Sequence, residues 1–260
     1  MLLAIDIGNS NITLGVFDGR RLSCTARLSA DSRRLADEYG ELALNILLRK
    51  GVGPDSICSA AICSVVPRLT STFEEVCREY LKVTPLTVNT GVKTGVRVLY
   101  DNPRDVGADR VADAAAAYRL YGGPTIVVDF GTGTVFDAIS KEGDYLGGAI
   151  APGIEVAAEA LHQSTSQLRR VDAAMPRTAI GRNTPEALQS GLMLGYVSLV
   201  EGMVRRFKEE LGGEAKVVAT GGLARVMAGA TQVFDETNPD LTLIGLRMIY
   251  EMNRGTRERG

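Results

Sequence analysis

The feature that most constrains the fold of this chain is a strand–turn–strand pattern that occurs twice. An apolar strand pattern over Leu2–Ile7 carries Asp6-Ile7-Gly8 at its end, and a returning strand pattern follows. Halfway along the chain, Thr125–Val128 leads into Asp129-Phe130-Gly131, and another returning strand pattern follows. One such unit is a common hairpin, but two units in matching positions predict a duplicated architecture.

Helical patterns occupy most of the remaining chain and alternate with the strands, which is typical of the α/β class. Two helix starts are well marked. Thr184 precedes Pro185 as a predicted N-cap, and Thr220-Gly221-Gly222 is a strand–glycine–helix junction where backbone amides can approach a nucleotide. The predicted helices cover Leu35–Arg49, Ser71–Tyr80, Val111–Tyr121, Ile154–Gln163, Thr184–Leu211 and Leu241–Arg254.

Charge and cysteine usage exclude several classes of protein. The 29 Lys and Arg against 31 Asp and Glu give a net charge of −2, which argues against a nucleic-acid or membrane-surface binder. No apolar run approaches the length that crosses a membrane. The 4 cysteines form no C-x-x-C pair and no zinc-finger spacing, so we predict a reduced cytoplasmic protein with buried thiols.

The two Asp-x-Gly turns carry groups suited to phosphoryl transfer. Glycine lets a phosphate chain approach the backbone, and the carboxylates of Asp6 and Asp129 can hold a hydrated Mg²⁺. The hydroxyls of Ser10, Thr132 and Thr134 can donate to phosphate oxygens. The alternative is that each Asp-x-Gly only ends a strand. Two copies plus the Thr220-Gly221-Gly222 junction favour a nucleotide site, although a P-loop motif is absent.

The polar segment Asn102–Arg110 runs directly into an alanine-rich helical pattern. Its carboxylate Asp109 has two interpretations that the residues alone leave open. It can cap the helix N-terminus, a role worth about 0.5–2 kcal/mol. It can instead act as general base for an alcohol, with Arg110 holding a substrate carboxylate.

With these segments in place, the chain resembles the type III pantothenate kinases, a family of the sugar kinase, Hsp70 and actin fold superfamily. The resemblance covers nearly the whole length, in the family's motif order. The matching segments are Asp6-Ile7-Gly8-Asn9-Ser10, Asn102-Pro103 with Gly107–Arg110, Asp129-Phe130-Gly131-Thr132-Gly133-Thr134, Gly147–Gly153, and Gly181-Arg182-Asn183-Thr184.

The resemblance implies a duplicated actin/hexokinase-like, ribonuclease H-like α/β fold with two lobes around a nucleotide cleft. The N-terminal lobe, residues 1–120, would hold the first phosphate motif and the substrate motif. The C-terminal lobe, residues 121–260, would hold the second phosphate motif and long dimerisation helices. Family members are homodimers, so a homodimer is expected here.

The implied reaction is ATP-dependent phosphorylation of pantothenate to 4′-phosphopantothenate, the first step of coenzyme A biosynthesis. Asp109 would be the proton acceptor, Asp6 would hold Mg²⁺ through water, and Asp129 would bind a monovalent cation, K⁺ or NH₄⁺. The implied ATP-binding residues are Asp6, Ile7, Gly8, Asn9, Ser10, Asn11, Ile12, Thr13 and Thr132. The implied pantothenate-binding residues are Tyr100, Gly107, Ala108, Asp109, Arg110 and Thr184.

Three positions depart from the family's commonest residues. Ser10 replaces threonine and keeps the hydroxyl, and Gly133 replaces alanine in the second phosphate turn. Asp113 stands where asparagine is frequent, which puts a second carboxylate one helical turn from Asp109. If both carboxylates face the site, repulsion raises the pKa of one of them.

Two further functions stay open at this point. A non-catalytic regulator or nucleotide-binding module on the same fold would not need Asp109 together with the nucleotide motifs. Another small-molecule kinase or ATPase would keep the nucleotide site and change the substrate residues. His162 is the only histidine and is predicted to have a surface or packing role, and Arg169-Arg170 is predicted to lie on a solvated face.

Overall fold

The computed structural model describes residues 1–164 and 171–257 of the protein. The strands are β1 (Leu2–Ile7), β2 (Asn11–Asp18), β3 (Arg21–Ser29), β4 (Ser59–Ser64), β5 (Leu86–Thr87), β6 (Thr125–Phe130), β7 (Gly133–Ile139), β8 (Tyr145–Pro152), β9 (Lys216–Gly221) and β10 (Glu236–Thr237). The α-helices are α1 (Ala36–Arg49), α2 (Pro67–Tyr80), α3 (Ala108–Tyr121), α4 (Ile154–Ser164), α5 (Thr184–Gln189), α6 (Gly195–Glu210), α7 (Ala224–Ala228) and α8 (Leu241–Arg257).

Within these residues the strands form two five-stranded sheets with the same topology. The first sheet has the order β3-β2-β1-β4-β5, and the second, taken from its opposite edge, has the order β8-β7-β6-β9-β10. In both sheets, the first three strands in chain order pair antiparallel, each with the next. The fourth strand pairs parallel with the first, and the fifth pairs parallel with the fourth. The predicted duplication and the two-lobe α/β fold are therefore confirmed.

The chain divides into two compact units, and the last helix does not stay with the second half. The first unit is Met1–Ala116 together with the segment that begins at Leu241, and the second unit is Ala117–Asp240. The sequence prediction assigned residues 121–260 to one lobe, so the structure differs in the placement of α8. The physical reason is apolar packing, since α8 contributes Leu243 and Leu246 to a core cluster of the first unit.

In the first unit, helices cover both faces of the sheet. One face packs against α1 and α2 through a cluster that includes Tyr39 and Phe73. The opposite face packs against α3 and α8 and carries small residues, among them Ala4 on β1 and Ala61 on β4. Because alternate residues of a strand share a face, Asp6 lies on the same face as Ala4, toward α3 and α8. This packing places the end of β1 beside the start of α3.

In the second unit, the core lies between the sheet and a long helical run. Met193, Val197, Val200 and Val204 are buried in a cluster with the apolar residues of β6, β7 and β9. An 18-residue window of the run Thr184–Glu210 has a mean hydropathy of 1.2, so by length and composition this run could cross a membrane, contrary to the sequence prediction that no run could. The core helix of a soluble protein passes the same test of length and composition, and 28% of this window is buried.

Several helix starts differ from the sequence prediction, among them that of α3, which begins at Ala108 rather than Val111. The second helix begins at Pro67 rather than Ser71, because proline at the first helical position is itself a start signal. The N-cap of α5 is Asn183 rather than Thr184, since the Asn183 side chain accepts a hydrogen bond from the Glu186 N–H at 3.0 Å. Thr184 is the first residue of that helix.

Candidate active site

In the first unit, the phosphate motif is a tight turn between β1 and β2. The Gly8 N–H donates to the Asn11 carbonyl at 3.0 Å, which closes the turn. Asn9, Ser10 and Asn11 are exposed there. Ile7 and Ile12 are completely buried, so their side chains belong to the core and only their main chain can reach a nucleotide.

Asp6 lies at the end of β1, within a row of three side chains that crosses the sheet. Its register partners are Thr13 on the antiparallel strand β2 and Cys63 on the parallel strand β4. Paired residues on adjacent strands point to the same face. The hydroxyl of Thr13 and the carboxylate of Asp6 therefore share the face of the sheet that meets α3.

Asp109 is the second residue of α3, and its carboxylate has a local and a long-range role. Its Oδ1 accepts a hydrogen bond from the Arg110 N–H at 2.8 Å, which satisfies one of the free donors at the helix start. Burial raises the pKa of Asp109, while Arg110 acts in the opposite direction. Asp109 therefore accepts a hydrogen bond at the helix start and is also a candidate base with a raised pKa. The two interpretations are compatible.

The charge of Asp109 acts on Asp6. The pKa of Asp6 is raised from 3.8 to about 6, mainly by burial and also by the charge of Asp109, while a hydrogen bond from Cys63 acts to lower it. Two neighbouring carboxylates that disfavour each other's charge are a setting that a bound cation relieves. The first phosphate motif and the predicted base therefore form one acidic centre.

Cys63 lies at the middle of this acidic centre. Its Sγ donates to Oδ1 of Asp6 at 3.3 Å, and the residue is completely buried. Burial raises the pKa of its thiol well above the ordinary value, and the charges of Asp6, Asp109 and Asp113 act in the same direction. The thiol therefore keeps its proton and is the donor in the contact with Asp6. Asp113 is itself only 2% exposed and belongs to the same group of carboxylates.

The remaining predicted substrate residues of the first unit precede α3 or open it. Tyr100 is 37% exposed, and Gly107, Ala108 and Arg110 are partly buried. Gly107 lies against the site, because a Cβ atom at this position would overlap Oδ1 of Asp109. The segment before it is shaped by Asn102, whose side chain accepts from the Arg104 N–H at 3.3 Å and donates to Asp105 at 2.8 Å.

The second unit holds Asp129, Thr132 and Thr184. Asp129 is on β6, and its carboxylate lies against Gly221, where a Cβ atom would overlap Oδ1 of Asp129. Thr132 is exposed in the turn after β6, and its carbonyl accepts from the Gly153 N–H at 2.9 Å. Thr184 is exposed at the start of α5.

Several sequence expectations about individual residues are corrected by burial. Thr134 is completely buried, so its hydroxyl does not lie at the surface of the phosphate turn. Cys58 is exposed and Cys24 partly exposed, so only Cys63 and Cys77 are the buried thiols that the sequence predicted. His162 is exposed on α4, in agreement with its predicted surface role, and Arg169-Arg170 lies outside the described residues.

The contact between Cys63 and Asp6 is invisible in the sequence. The two residues are 57 positions apart, and only the register of β1 against β4 brings them together. An apolar strand with a cysteine beside small residues is equally typical of core packing. The one signal in the sequence is that Cys63 lies near the end of a strand that precedes a helix.

The described residues contain no group of three or more His, Cys, Asp or Glu side chains that could hold a metal by themselves. Mg²⁺ fits this arrangement nonetheless, because it keeps several waters and usually takes one or two carboxylates together with substrate phosphates. Asp6 supplies such a carboxylate. For a monovalent cation, Asp129 has the backbone of Gly131 and Gly221 close to its carboxylate.

Sequence comparisons give a consistent result over nearly the whole chain. A family model described as type III pantothenate kinase matches residues 2–206. A type III pantothenate kinase from Dehalococcoides mccartyi is 49% identical over 253 residues, covering 97% of this chain and 98% of the relative. One from Roseiflexus sp. is 50% identical over 254 residues, covering 98% and 100%.

Solved structures with low sequence identity share the fold. A conserved Baf family protein from Campylobacter jejuni superposes with a TM-score of 0.64 at 20% identity, covering 97% of this chain and 99% of that one. An ethanolamine utilization protein from Carboxydothermus hydrogenoformans gives a TM-score of 0.54 at 17% identity, covering 95% and 89%. At these identities the similarity concerns the fold alone.

Proposed function

Because the chain belongs to the type III pantothenate kinase family and phosphorylates pantothenate with ATP, we propose specific roles for its residues in that reaction. The product is 4′-phosphopantothenate, and the step is the first of coenzyme A biosynthesis. The observation that carries the proposal is the acidic centre of the first unit, where Asp109 lies close enough to Asp6 to raise its pKa. In a kinase, the carboxylate that holds the Mg²⁺ of ATP and the base for the attacking alcohol must be neighbours.

Asp109 is the proposed general base for the primary alcohol of pantothenate. Proton transfer is most efficient when the pKa of the base lies near the working pH, and burial moves the pKa of Asp109 upward from its ordinary acidic value. The alcohol oxygen attacks the γ-phosphorus in line with the bond to ADP, and its proton passes to the Asp109 carboxylate. Arg110, the next residue of α3, is proposed to bind the carboxylate of pantothenate.

The turn Asp6–Thr13 is proposed to bind the ATP phosphates. The exposed Asn9, Ser10 and Asn11 offer amide and hydroxyl donors, while Ile7, Gly8 and Ile12 contribute main-chain groups. Asp6 is proposed to hold Mg²⁺ through water, and Thr132 is proposed to contact the nucleotide. When bound, Mg²⁺ offsets the negative charge that develops on the transferring phosphoryl group.

Asp129 is the proposed ligand of a monovalent cation, K⁺ or NH₄⁺. Gly221 has a φ of +88° and lies against this carboxylate, so the backbone passes closer to it than any residue with a side chain would allow. Tyr100, Gly107 and Ala108 are proposed to bind pantothenate, and so is Thr184.

The test of these roles is coupled detection of ADP release with ATP, Mg²⁺ and pantothenate, with and without K⁺. We expect Asp109→Asn to lower kcat about 10²–10⁴-fold, the usual contribution of a general base. Asp105→Asn is the matched control in the same segment. Asp105 is exposed, and an amide oxygen can still accept the hydrogen bond from Asn102. A native rate in Asp109→Asn would contradict the assignment of the base.

A homodimer formed through the long helical run of the second unit is also proposed. Gly191, Gly195 and Gly202 recur along this run, and a Cβ atom at any of them would meet no described atom beyond its own helix within 4 Å. Such a glycine face lets a second copy approach closely. Sedimentation velocity tests the proposal, with Gly195→Arg expected to yield monomers. Gly53→Arg, at an open glycine of the first unit, should leave the association state of the native chain.

Cytoplasmic localisation is proposed from the thiols. All four cysteines are free, as is usual in the reducing cytoplasm. Fractionation of cells that express a tagged full-length chain tests this, and recovery in the membrane fraction would contradict it.

A further inference from the structure

We infer that Cys63 is a positioning residue for the phosphate-site carboxylate of Asp6. The inference rests on the proposed role of Asp6 in holding ATP with Mg²⁺. It adds a residue from β4, which contributes to none of the motifs in the sequence, to the set that determines how the nucleotide is bound.

The thiol of Cys63 donates a hydrogen bond directly to one carboxylate oxygen of Asp6. Cys63 and Asp6 are register partners on the parallel strands β4 and β1, so their side chains leave the sheet on the same face. The distance from Sγ to Oδ1 is 3.3 Å, which is a hydrogen bond for sulfur. Both side chains belong to regular strands rather than to loops, so the backbone fixes their separation.

This contact restricts the orientation of the carboxylate. The terminal torsion of aspartate is broad and poorly defined by sterics alone. A donor on Oδ1 selects one rotation of the group and leaves Oδ2 for the hydrated cation that accompanies the phosphates. A preorganised carboxylate binds the nucleotide more tightly, because the ordering is already present before ATP arrives.

Core packing and redox chemistry account less well for a buried cysteine at this position. Cys63 does pack with Ala4 and Ala61 in the apolar cluster under α3 and α8, but packing alone requires no donor aimed at a carboxylate. Redox chemistry requires a thiolate, and the surrounding carboxylates of Asp6 and Asp109 disfavour that charge. A thiol that retains its proton and directs it to Asp6 satisfies both the burial and the contact.

The experiment compares Cys63→Ala, Cys63→Ser and Cys63→Val in the full-length protein. Affinity for ATP with Mg²⁺ is measured by calorimetry without pantothenate, and KM for ATP, kcat and the melting temperature are recorded in parallel. Cys77→Ala is the matched control, because Cys77 is also completely buried in the first unit and packs in the cluster on the opposite face of the sheet.

Cys63→Ala and Cys63→Val should weaken ATP–Mg²⁺ binding roughly tenfold, the effect of losing one hydrogen bond to a charged group. Cys63→Ser restores a donor and should bind within about twofold of the native chain. Cys77→Ala should bind as the native chain does, whatever its melting temperature. Valine replaces the lost volume, so a folding defect confined to the alanine variant leaves the comparison valid.

Native affinity in Cys63→Ala and Cys63→Val, or an equal loss in Cys63→Ser, would overturn the inference. An equal loss in Cys63→Ser would mean that the sulfur acts through packing rather than as a hydrogen-bond donor. Asp6→Asn separates this failure from failure of the proposed function. If Asp6→Asn binds ATP–Mg²⁺ as tightly as the native chain, the proposed role of Asp6 itself is wrong.

Discussion

At the scale of single residues, glycines determine where the site carboxylates can lie. A Cβ atom at Gly107 would overlap Oδ1 of Asp109, so a side chain at this position would displace that carboxylate. In the second unit, a Cβ atom at Gly221 would overlap Oδ1 of Asp129 and also the backbone of Phe130. In each unit, one carboxylate with a proposed function therefore lies against a glycine. The glycines are visible in the sequence, but only the folded chain shows which carboxylate each one accommodates.

Replacement of Gly107 by alanine should displace the Asp109 carboxylate and reduce turnover. A misplacement of about 1 Å at a catalytic group can cost roughly 10²-fold in rate, so a loss between about 10-fold and 100-fold in kcat is expected. The melting temperature should change little, since Gly107 is partly exposed. ADP release under saturating pantothenate is the measurement.

Gly53→Ala is the control for that substitution, because no described atom lies within 4 Å of a Cβ atom at position 53. It should keep the native rate. A Gly107→Ala enzyme with unchanged kcat would show that Asp109 does not need its present position.

At the scale of secondary structure, the close approach of α8 to α3 fixes the position of the helix that carries Asp109. Gly245 on α8 lies against the main chain of Ala112 on α3, and a Cβ atom at 245 would be 2.6 Å from the Ala112 carbonyl carbon. Ala112 follows Asp109 by three residues on the same helix. The alanine-rich sequence of α3 is explained by this crossing, because small side chains let the two helices approach.

Gly245→Ala should lower the stability of the protein, although alanine is the better helix former by about 1 kcal/mol. The overlap is with backbone, which cannot rotate away, and overpacking typically costs about 1–3 kcal/mol. Urea denaturation is the measurement, and a net loss is expected. Gly40→Ala in α1 is the comparison, since the atoms nearest to its Cβ atom would belong to the side chain of Tyr80 rather than to backbone.

The loss in Gly40→Ala should be the smaller of the two. If Gly245→Ala is as stable as the native protein or more stable, the two helices have room that the structure does not show, and the crossing does not fix α3.

At the scale of the whole molecule, the acidic centre should make stability depend on pH. The pKa of Asp6 rises from 3.8 to about 6 on folding. A carboxyl with a raised folded pKa stabilises the native state fully below its unfolded pKa, and this contribution is lost as the pH rises through the folded pKa. Between pH 3.8 and 6, Asp6 therefore contributes progressively less to stability.

Asp6→Asn removes this penalty, because the amide carries no charge. Without ATP or Mg²⁺, the variant should be more stable than the native chain at pH 8, by up to about 3 kcal/mol, since each pKa unit corresponds to about 1.4 kcal/mol. Near pH 4.5 the gain should shrink. Thermal unfolding at both pH values measures the difference in stability. If Asp6→Asn is equally destabilised at both, the buried charge of Asp6 does not destabilise the native protein.

The fold class, the duplication and the motif residues all follow from the amino-acid sequence. Short-range patterns of strand, glycine turn and helix suffice for these, since each pattern, such as Leu2–Ile7 with its turn, lies within a short stretch of chain. Helix ends are less well determined, because local start signals compete, as at Thr184 and Asn183.

Which distant groups meet depends on the tertiary structure. The contact between Asp6 and Cys63 requires the register of two strands, and the influence of Asp109 on Asp6 requires the packing of α3 on the sheet. The placement of α8 in the first unit follows from the apolar surface that β1 and β4 leave for it to cover. Register and packing are long-range properties that reflect the lowest free energy of the whole chain, so no local pattern encodes them.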